Sequence, residues 1–465
     1  MSALQPVIIP RQQHPISRRN LSPNALRVLY RLKDHGFIAY LVGGCVRDLW
    51  LGREPKDFDI VTDATPGQLK RLFRNCRLIG RRFRLAHLHF TDEIIEVATF
   101  RSLATAEEDS RPTEESGDTR PPRLLKDEDG MVLRDNVFGT PEEDALRRDF
   151  TVNALYYDLV DFSLVDYVGG ISDMERGIIR TIGAPSVRFT EDPVRMLRAV
   201  RFAALLGFAI DGATWQAMVE LGTTINRAAP ARLFEEVLKL FLSGEAEKCY
   251  QLMRQTGLFA ALFPRFDDWL TQETDGFPHT RVSQALDRVD GACQRGEKMA
   301  PQVLLALVFG HYLEEMAEGF RRNGASQQQA LDMAVTTFLT ELAPTVLIPH
   351  KIGIMLRDIL AAQDRFRKMP GKRPQVFIAK PSFPAALDYL RFTAAINEAD
   401  EGVVAWWENF AAGELPPAAA AVREERPDSA PSNGDKRPRR RRRRRRSASR
   451  DGRQTATSDK QTPPE

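Results

Sequence analysis

Cysteine is scarce and scattered. Cys45, Cys76, Cys249 and Cys293 are the four in 465 residues, and none stands in a CxxC spacing, so neither a zinc site nor a disulfide framework is suggested. No apolar run reaches membrane-spanning length, and the opening MSALQPVIIPRQQHPISRRN carries scattered Pro and Arg where a signal peptide would have an apolar centre. These absences point to a cytoplasmic protein without a transmembrane segment. No internal repeat is visible. What is present is a chain 43% hydrophobic, enough to bury a sizeable core in more than one domain. The formal net charge of +3 conceals an unbroken run of arginine from Arg439 to Arg446.

The spacing of apolar residues predicts the organisation. Residues 1–20 read as a flexible N-terminal arm. Ser22-Pro23 then caps a helix through Ala25, Leu26, Val28, Leu29 and Leu32, and Gly36 ends it. Strands are predicted over 37–42 and 57–62, helices over 46–51 and 66–74, and a strand pair over 85–90 and 94–100. This is a mixed α/β head, residues 21–172. A stretch of Glu, Asp, Ser, Thr, Pro and Arg over 102–130 reads as a mobile insertion, and Thr140-Pro141-Glu142-Glu143 as a strong helix start. From 173 the apolar spacing is helical, giving a neck (173–242) and an all-α body (243–413). Composition from 414 to 465 predicts a disordered basic tail.

The densest chemical signal is LVGGCVRDLWLGREPKDFDIVTDATP, residues 41–66. Gly43 and Gly44 let a backbone approach a polyphosphate closely, and free amides at the following helix start, with Arg47, offer it positive charge. Asp57 and Asp59, two apart on a predicted strand, project from one face. Two such carboxylates suit a pair of magnesium ions about 4 Å apart that clamp the attacking and leaving oxygens in phosphoryl transfer; a solvated strand face is the bland alternative. A third acid is expected from either Glu96, alternating with Ile95 and Val97, or Asp149 after Arg147-Arg148. Spacing leaves both open, since Glu96 equally fits an exposed strand face and Asp149 an ion pair that fixes a turn.

GGCVRD, KDFDIVT, EVATFR, RRDFTVNAL, YVGG and EDPVRMLRAVRFA occur in that order, and the series from about Ala39 to about Leu242 resembles the bacterial tRNA nucleotidyltransferase and poly(A) polymerase family. The resemblance implies a nucleotidyltransferase head with a mixed sheet, then helical neck and body regions that hold RNA. It implies that Asp57 and Asp59 bind metal, that Asp149 belongs to the active site, and that Arg101 and Asn153 join Gly43, Gly44 and Arg47 around the nucleotide. It also implies that EDPVRMLRAVRF reads the incoming base. An Asp192 carboxylate accepting from an exocyclic amine, and Arg195 or Arg198 donating to a ring nitrogen, would suit adenine or cytosine and disfavour guanine and uracil. The alternative is that Asp192 only caps a helix and the arginines form a solvated stripe.

Two activities within the family share this base chemistry, CCA addition to tRNA and poly(A) addition to many RNAs. LIGRRFRLAHLHF, residues 78–90, resembles the signature that sets bacterial poly(A)-adding members apart, and it supplies Arg81, Arg82 and Arg84 as RNA contacts. His87 and His89 alternate on a strand and read as structural, with no zinc. Arg439, Arg440 and Arg441 in the terminal run would neutralise phosphates without reading bases, which suits a broad substrate range. The expectation is template-independent adenylyl transfer from ATP to RNA 3′ ends with two magnesium ions, manganese as a substitute, and a role in RNA turnover and mRNA processing. Expected partners are mRNA, small RNA and decay fragments, together with RNA-decay proteins; the oligomeric state is left open, a monomer being compatible with the sequence. The alternatives are CCA addition and a noncatalytic RNA-binding protein on the same scaffold. The arginine tail would serve an anionic membrane surface by the same electrostatics.

Overall fold

A serine and a proline begin the first helix, α1 (Pro23–Asp34). The Ser22 hydroxyl accepts from the amides of Asn24 and Ala25, donors that a helix start leaves without intrahelical partners, while Pro23 sits where no donor is needed. The chain is seen in a computed structural model that describes residues 5–80, 84–102, 125–126, 128, 131–134, 137–272, 278–369, 373–397 and 399–414. Arg81, Arg82, most of the 102–130 insertion and the tail with Arg439, Arg440 and Arg441 lie outside the described residues.

Up to residue 166 the strands are β1 (Val7–Ile9), β2 (Ala39–Val42), β3 (Asp59–Thr62), β4 (Cys76–Ile79), β5 (Leu85–His89), β6 (Ile94–Thr99), β7 (Leu125–Lys126), β8 (Val132–Arg134), β9 (Leu155–Asp158) and β10 (Leu164–Asp166). Eight of them form one sheet in the order β1-β10-β9-β2-β3-β6-β5-β4. β3 and β6 are parallel and the other pairs antiparallel, so the sheet is mixed. β7 and β8 pair only with each other, which places a short ordered ribbon at the end of a segment expected to be mobile throughout.

Period-two alternation covers both faces of the sheet. Leu41, Ile60, Leu88 and Val97 join the main core with Val28, Leu29 and Leu32 of α1. Val42, Val61, Phe100, Tyr156 and Val165 form a second cluster beneath Ala145. Ala145 belongs to α4 (Pro141–Arg147), which follows α2 (Gly44–Trp50) and α3 (Pro66–Leu72). The expected Thr140 start of α4 is a capping box, Thr140 and Glu143 exchanging side-chain to backbone bonds.

The expected loose arm is corrected from Val7 onward. β1 pairs with β10 in the register Val7↔Asp166, His14 and Ile16 are buried, and the His14 Nε2 lies 2.8 Å from the Phe162 carbonyl oxygen. Val7-Ile8-Ile9 is a strand-forming run, and the open edge of β10 supplies the ladder it needs.

Helices take over after the sheet: α5 (Gly170–Arg176), α6 (Pro185–Glu191), α7 (Val194–Leu206), α8 (Gly212–Leu221) and α9 (Pro230–Phe241). α9 buries Leu233, Phe234, Val237, Leu240 and Phe241 on one stripe and packs on α7, each such side chain contributing about 2 kcal/mol of burial. Beyond, helices Pro301–Arg322, Gln327–Leu342, His350–Arg367 and Phe383–Asn397 enclose a core that includes Phe263, Phe266, Phe309 and Phe338. The architecture is a mixed α/β head followed by an all-α body. Among the described residues no helix is long and apolar enough to cross a membrane.

Candidate active site

Asp59 opens β3 at the centre of the sheet, opposite Val42 of β2 and beside Glu96 of β6. Asp57 lies before the strand, which corrects the expectation that both aspartates share it. The reason is local: after Val42 the chain turns away at Gly43 into α2, so β2 offers no further residue for Asp57 to pair with. Gly43 has φ +83, a conformation that a side-chain-bearing residue adopts only with strain. A Cβ there would come 3.6 Å from both Asp59 Oδ2 and Arg148 Nη1, so the glycine turn lies directly against the carboxylate.

Burial, and then the charges of Asp57 and Glu96, push the Asp59 carboxyl up to about 7 against the opposing pull of Arg148 and Arg198. Negative charge is therefore left uncompensated at this point. Among the described residues no three His, Cys, Asp or Glu side chains gather closely enough to enclose a metal ion by themselves. The donors are the pair Asp57 and Asp59, hard oxygen ligands beside the glycine turn. They fit a small divalent cation that takes one or two carboxylates and completes its shell with water and substrate phosphate oxygens. Glu96 is in register with Asp59, but its Oε1 lies 3.0 Å from His87 Nε2. That approach meets ion-pair distance without hydrogen-bond alignment, since Nε2 has no hydrogen-bond partner.

Asp149, the other candidate third acid, is drawn elsewhere. Its Oδ2 accepts from Arg198 Nε at 2.7 Å and lies 2.6 Å from Arg198 Nη2, while Oδ1 accepts from the Phe150 amide at 2.8 Å and from Asn153 Nδ2 at 3.3 Å. Burial would raise this carboxyl; Arg198, Arg195 and the Phe150 amide outweigh it and hold the group at about 2. Asp149 is thus a permanently charged anchor for Arg198.

Arg47 lies against the glycine turn, its Nη2 3.5 Å from where a Cβ on Gly44 would stand. It is 4% exposed, and it donates to Asp48 Oδ1 at 2.9 and 2.7 Å and to Asn153 Oδ1 at 2.7 Å. With those contacts it fixes α2 to the Asn153 turn and does not present a guanidinium at the surface. Arg148, which sequence reasoning missed, stands at Gly43. It donates to Asp144 Oδ2 and to the Tyr156 hydroxyl at 3.1 to 3.2 Å. The double arginine before Asp149 was its signal, read only as a turn-fixing ion pair.

Around this centre arginines crowd together. Burial and mutual repulsion pull Arg147 and Arg188 down to about 10 and lower Arg101, and Arg188 Nη2 donates to the carbonyls of Arg147 and Arg148. The guanidiniums of Arg47, Arg198 and Arg201 lie 5.1, 5.2 and 4.7 Å from the ring centre of Phe202, a shared cation–π platform that no motif reading identified.

The expected base-reading trio stays together at the start of α7, the Arg195 amide donating to the Asp192 carbonyl at 3.0 Å, and each side chain has a partner of its own. Asp192 lies between α6 and α7 and meets Arg232 of α9, with Oδ1 to Nη1 at 2.7 Å and Oδ2 to Nη2 at 2.8 Å. Arg195 donates to the Arg188 carbonyl at 3.0 Å and to Glu191 Oε2 at 3.3 Å. Arg198 belongs to Asp149. Arg84, partly buried ahead of β5, is the one expected RNA contact of that signature among the described residues.

A mixed sheet with a central carboxylate pair against a glycine turn, followed by helical regions, defines a nucleotidyltransferase. Residues 39–180 match the family model described as Poly A polymerase head domain, 207–270 the probable RNA and SrmB-binding site of polymerase A, and 323–447 the polymerase A arginine-rich C-terminus. The chain belongs to the bacterial poly(A) polymerase I family. It is 45% identical over 412 residues to Poly(A) polymerase I of Salmonella typhi, covering 88% of this chain and 86% of that one, and 40% identical over 406 residues to that of Haemophilus influenzae, with 87% of each covered. A CCA-adding enzyme of Bacillus pumilus is 34% identical over 269 residues, 58% of this chain. The crystal structure of the Bacillus stearothermophilus CCA-adding enzyme in complex with CTP superposes with a TM-score of 0.56 at 27% identity, covering 84% of this chain and 82% of that one.

Proposed function

We infer that this chain, a polynucleotide adenylyltransferase, takes adenylate from ATP and joins it without a template to RNA 3′ ends beside β3, in RNA turnover and mRNA processing. The observation that carries the reading is Asp59 at the head of β3 against the Gly43 turn, with Asp57 two residues before it and Glu96 in register beside it. The Asp57 and Asp59 carboxylates would hold divalent cations, two magnesium ions or manganese in their place. Such cations, when bound, lower the pKa of an attacking hydroxyl and neutralise charge on a departing pyrophosphate.

The chain's own groups do the rest. The Gly43 turn leaves only backbone between the acids and a triphosphate, so the phosphate chain can lie close. Arg47, tied to Asp48 and Asn153, keeps α2 and that turn in place. Asp149 holds Arg198 charged and directed, and Asp192 with Arg195 supports selection of adenine. The repulsion among Arg101, Arg147, Arg188 and Arg195 is relieved by an anion, which favours triphosphate or RNA in their midst. The RNA 3′ oxygen bonds to the α-phosphorus, the bond to the β-phosphate breaks, pyrophosphate leaves and the hydroxyl proton passes to solvent, so no protein nucleophile is needed. Arg84, with Arg81, Arg82 and the Arg439, Arg440, Arg441 run, would add sequence-independent phosphate contacts, and the helical regions 173–242 and 243–413 would hold the RNA.

The test incubates the full chain and magnesium with each nucleoside triphosphate separately, on unstructured RNA and on tRNA lacking its 3′ end. Long tails from ATP alone are expected. A short product that requires CTP would establish CCA addition and overturn the reading.

A further inference from the structure

We propose that Arg232 sets nucleotide selectivity by fixing the plane of the Asp192 carboxylate, a role that rests on the reading of Asp192 as the acceptor of an adenine amine. Asp192 occupies a single extended residue (φ −152, ψ 94) between α6 and α7. The last torsion of an aspartate is broad, and a carboxylate free to rotate presents no fixed acceptor to a base. The fork from Arg232 removes that freedom. Its two nitrogens meet the two oxygens at 2.7 and 2.8 Å, the planar bidentate geometry that arginine alone supplies.

Arg232 is itself well placed to hold this position. It sits in the first turn of α9, next to Leu233 and Phe234, which are buried, so its backbone is fixed by packing. One turn on, Glu236, 5% exposed, faces Arg201 at 3.9 Å, a second ionic contact between α9 and α7. A carboxylate accepts up to about four hydrogen bonds, so a fork using two does not exhaust it. In that fixed plane an amine donates to Asp192, whereas the keto oxygen of guanine or uracil brings one acceptor against another. Selectivity then depends on an arginine that is on another helix and need not touch the base.

The experiment measures kcat/KM of the full chain for ATP, GTP and UTP on unstructured RNA. Arg232→Lys keeps the charge and loses the fork; Arg232→Gln removes both. The preference for ATP is expected to fall about tenfold or more in each, the scale that misplaced site groups produce, with melting temperature near the parent's for the lysine variant, which carries the test if the glutamine variant does not fold. In an Asp192→Ala background the Arg232 changes are expected to cause no further loss of preference. If Asp192→Ala relaxes selectivity and both Arg232 variants keep it, Arg232 has no such role and the base-reading assignment survives. An equal fall with all three nucleotides would make Arg232 merely structural. Unchanged selectivity in Asp192→Ala would remove the base-reading assignment and this inference with it.

Discussion

The carboxylates at the β3 end of the head and those at the start of α7 are treated in opposite ways. Around β3, burial and then the charges of Asp57 and Glu96 raise Asp59 to about 7. Around α7, Asp149 is gripped by Arg198 and Asp192 by Arg232, and Asp149 falls to about 2. A carboxylate paired within the chain has its charge already answered and its plane fixed, so it offers a neutral group a directed acceptor and a cation little. One left against other carboxylates raises the free energy of the empty protein and lowers it again when a cation arrives.

The sharpest way to break this contrast is Asp59→Asn, with Asp57→Asn beside it. Each removes a ligand and a source of repulsion, so tailing should fall by about 10³-fold or more while RNA binding persists and the melting temperature holds or rises. Extension at the parent's rate by either variant would dispose of the metal assignment. Asp149→Ala should behave in the reverse sense. It leaves Arg198, whose side chain is 31% exposed, without its partner, at a stability cost of about 1–3 kcal/mol, read as a lower urea midpoint; a loss under about 1 kcal/mol would mean that Arg198 finds another anion nearby.

Acid sharpens the same difference with a smaller effect. Asp149 has a folded value near 2 against an ordinary 3.8, so its contribution is complete above 3.8 and disappears as pH falls toward 2. That is about 2 kcal/mol, and Asp149→Asn should lack this part of the acid limb in unfolding measured from pH 4 to 2. Asp59 has the opposite sign. Its raised value means that the proton stabilises the cation-free fold at low pH and that this contribution is lost as pH rises toward about 7. Cation and proton compete for it, so the cation concentration needed for half-maximal tailing should rise by up to about tenfold per unit below pH 7.

How much of this was legible beforehand follows the range of the interaction. α7 and the helix Gln327–Leu342 lie within the stretch predicted to be helical because helical spacing and caps are local. Gly43, Asp57 and Asp59 could be singled out because a turn, a spacing of two and a resemblance all lie within one short segment. The partners were not visible: Arg198 is 49 residues from Asp149 and Arg232 is 40 from Asp192. Arginine at either place reads as a solvated charge until the fold brings α7 and α9 together. The contact of Arg47 with Asn153, 106 residues away, was hidden for the same reason. The N-terminal arm failed because a three-residue edge strand has too little pattern of its own to outweigh the prolines and arginines around it.

The smallest effect concerns Glu96, which belongs by register to the uncompensated set and by contact to His87. A carboxylate that completed a cation's shell could not be neutralised without a loss of about 100-fold, the scale of removing a ligand or its support. One that is 45% exposed and turned toward an imidazole contributes mainly its charge, and that charge is one of the two that raise Asp59. Glu96→Gln should therefore cost less than about tenfold in tailing rate at pH 8. It should also lower the pH at which Asp59 exchanges its proton for a cation, easing the cation requirement at pH 6 relative to the parent. A hundredfold loss at pH 8, with a raised cation requirement at both pH values, would move Glu96 into the ligand set and leave His87 as a partner it abandons when the cation binds.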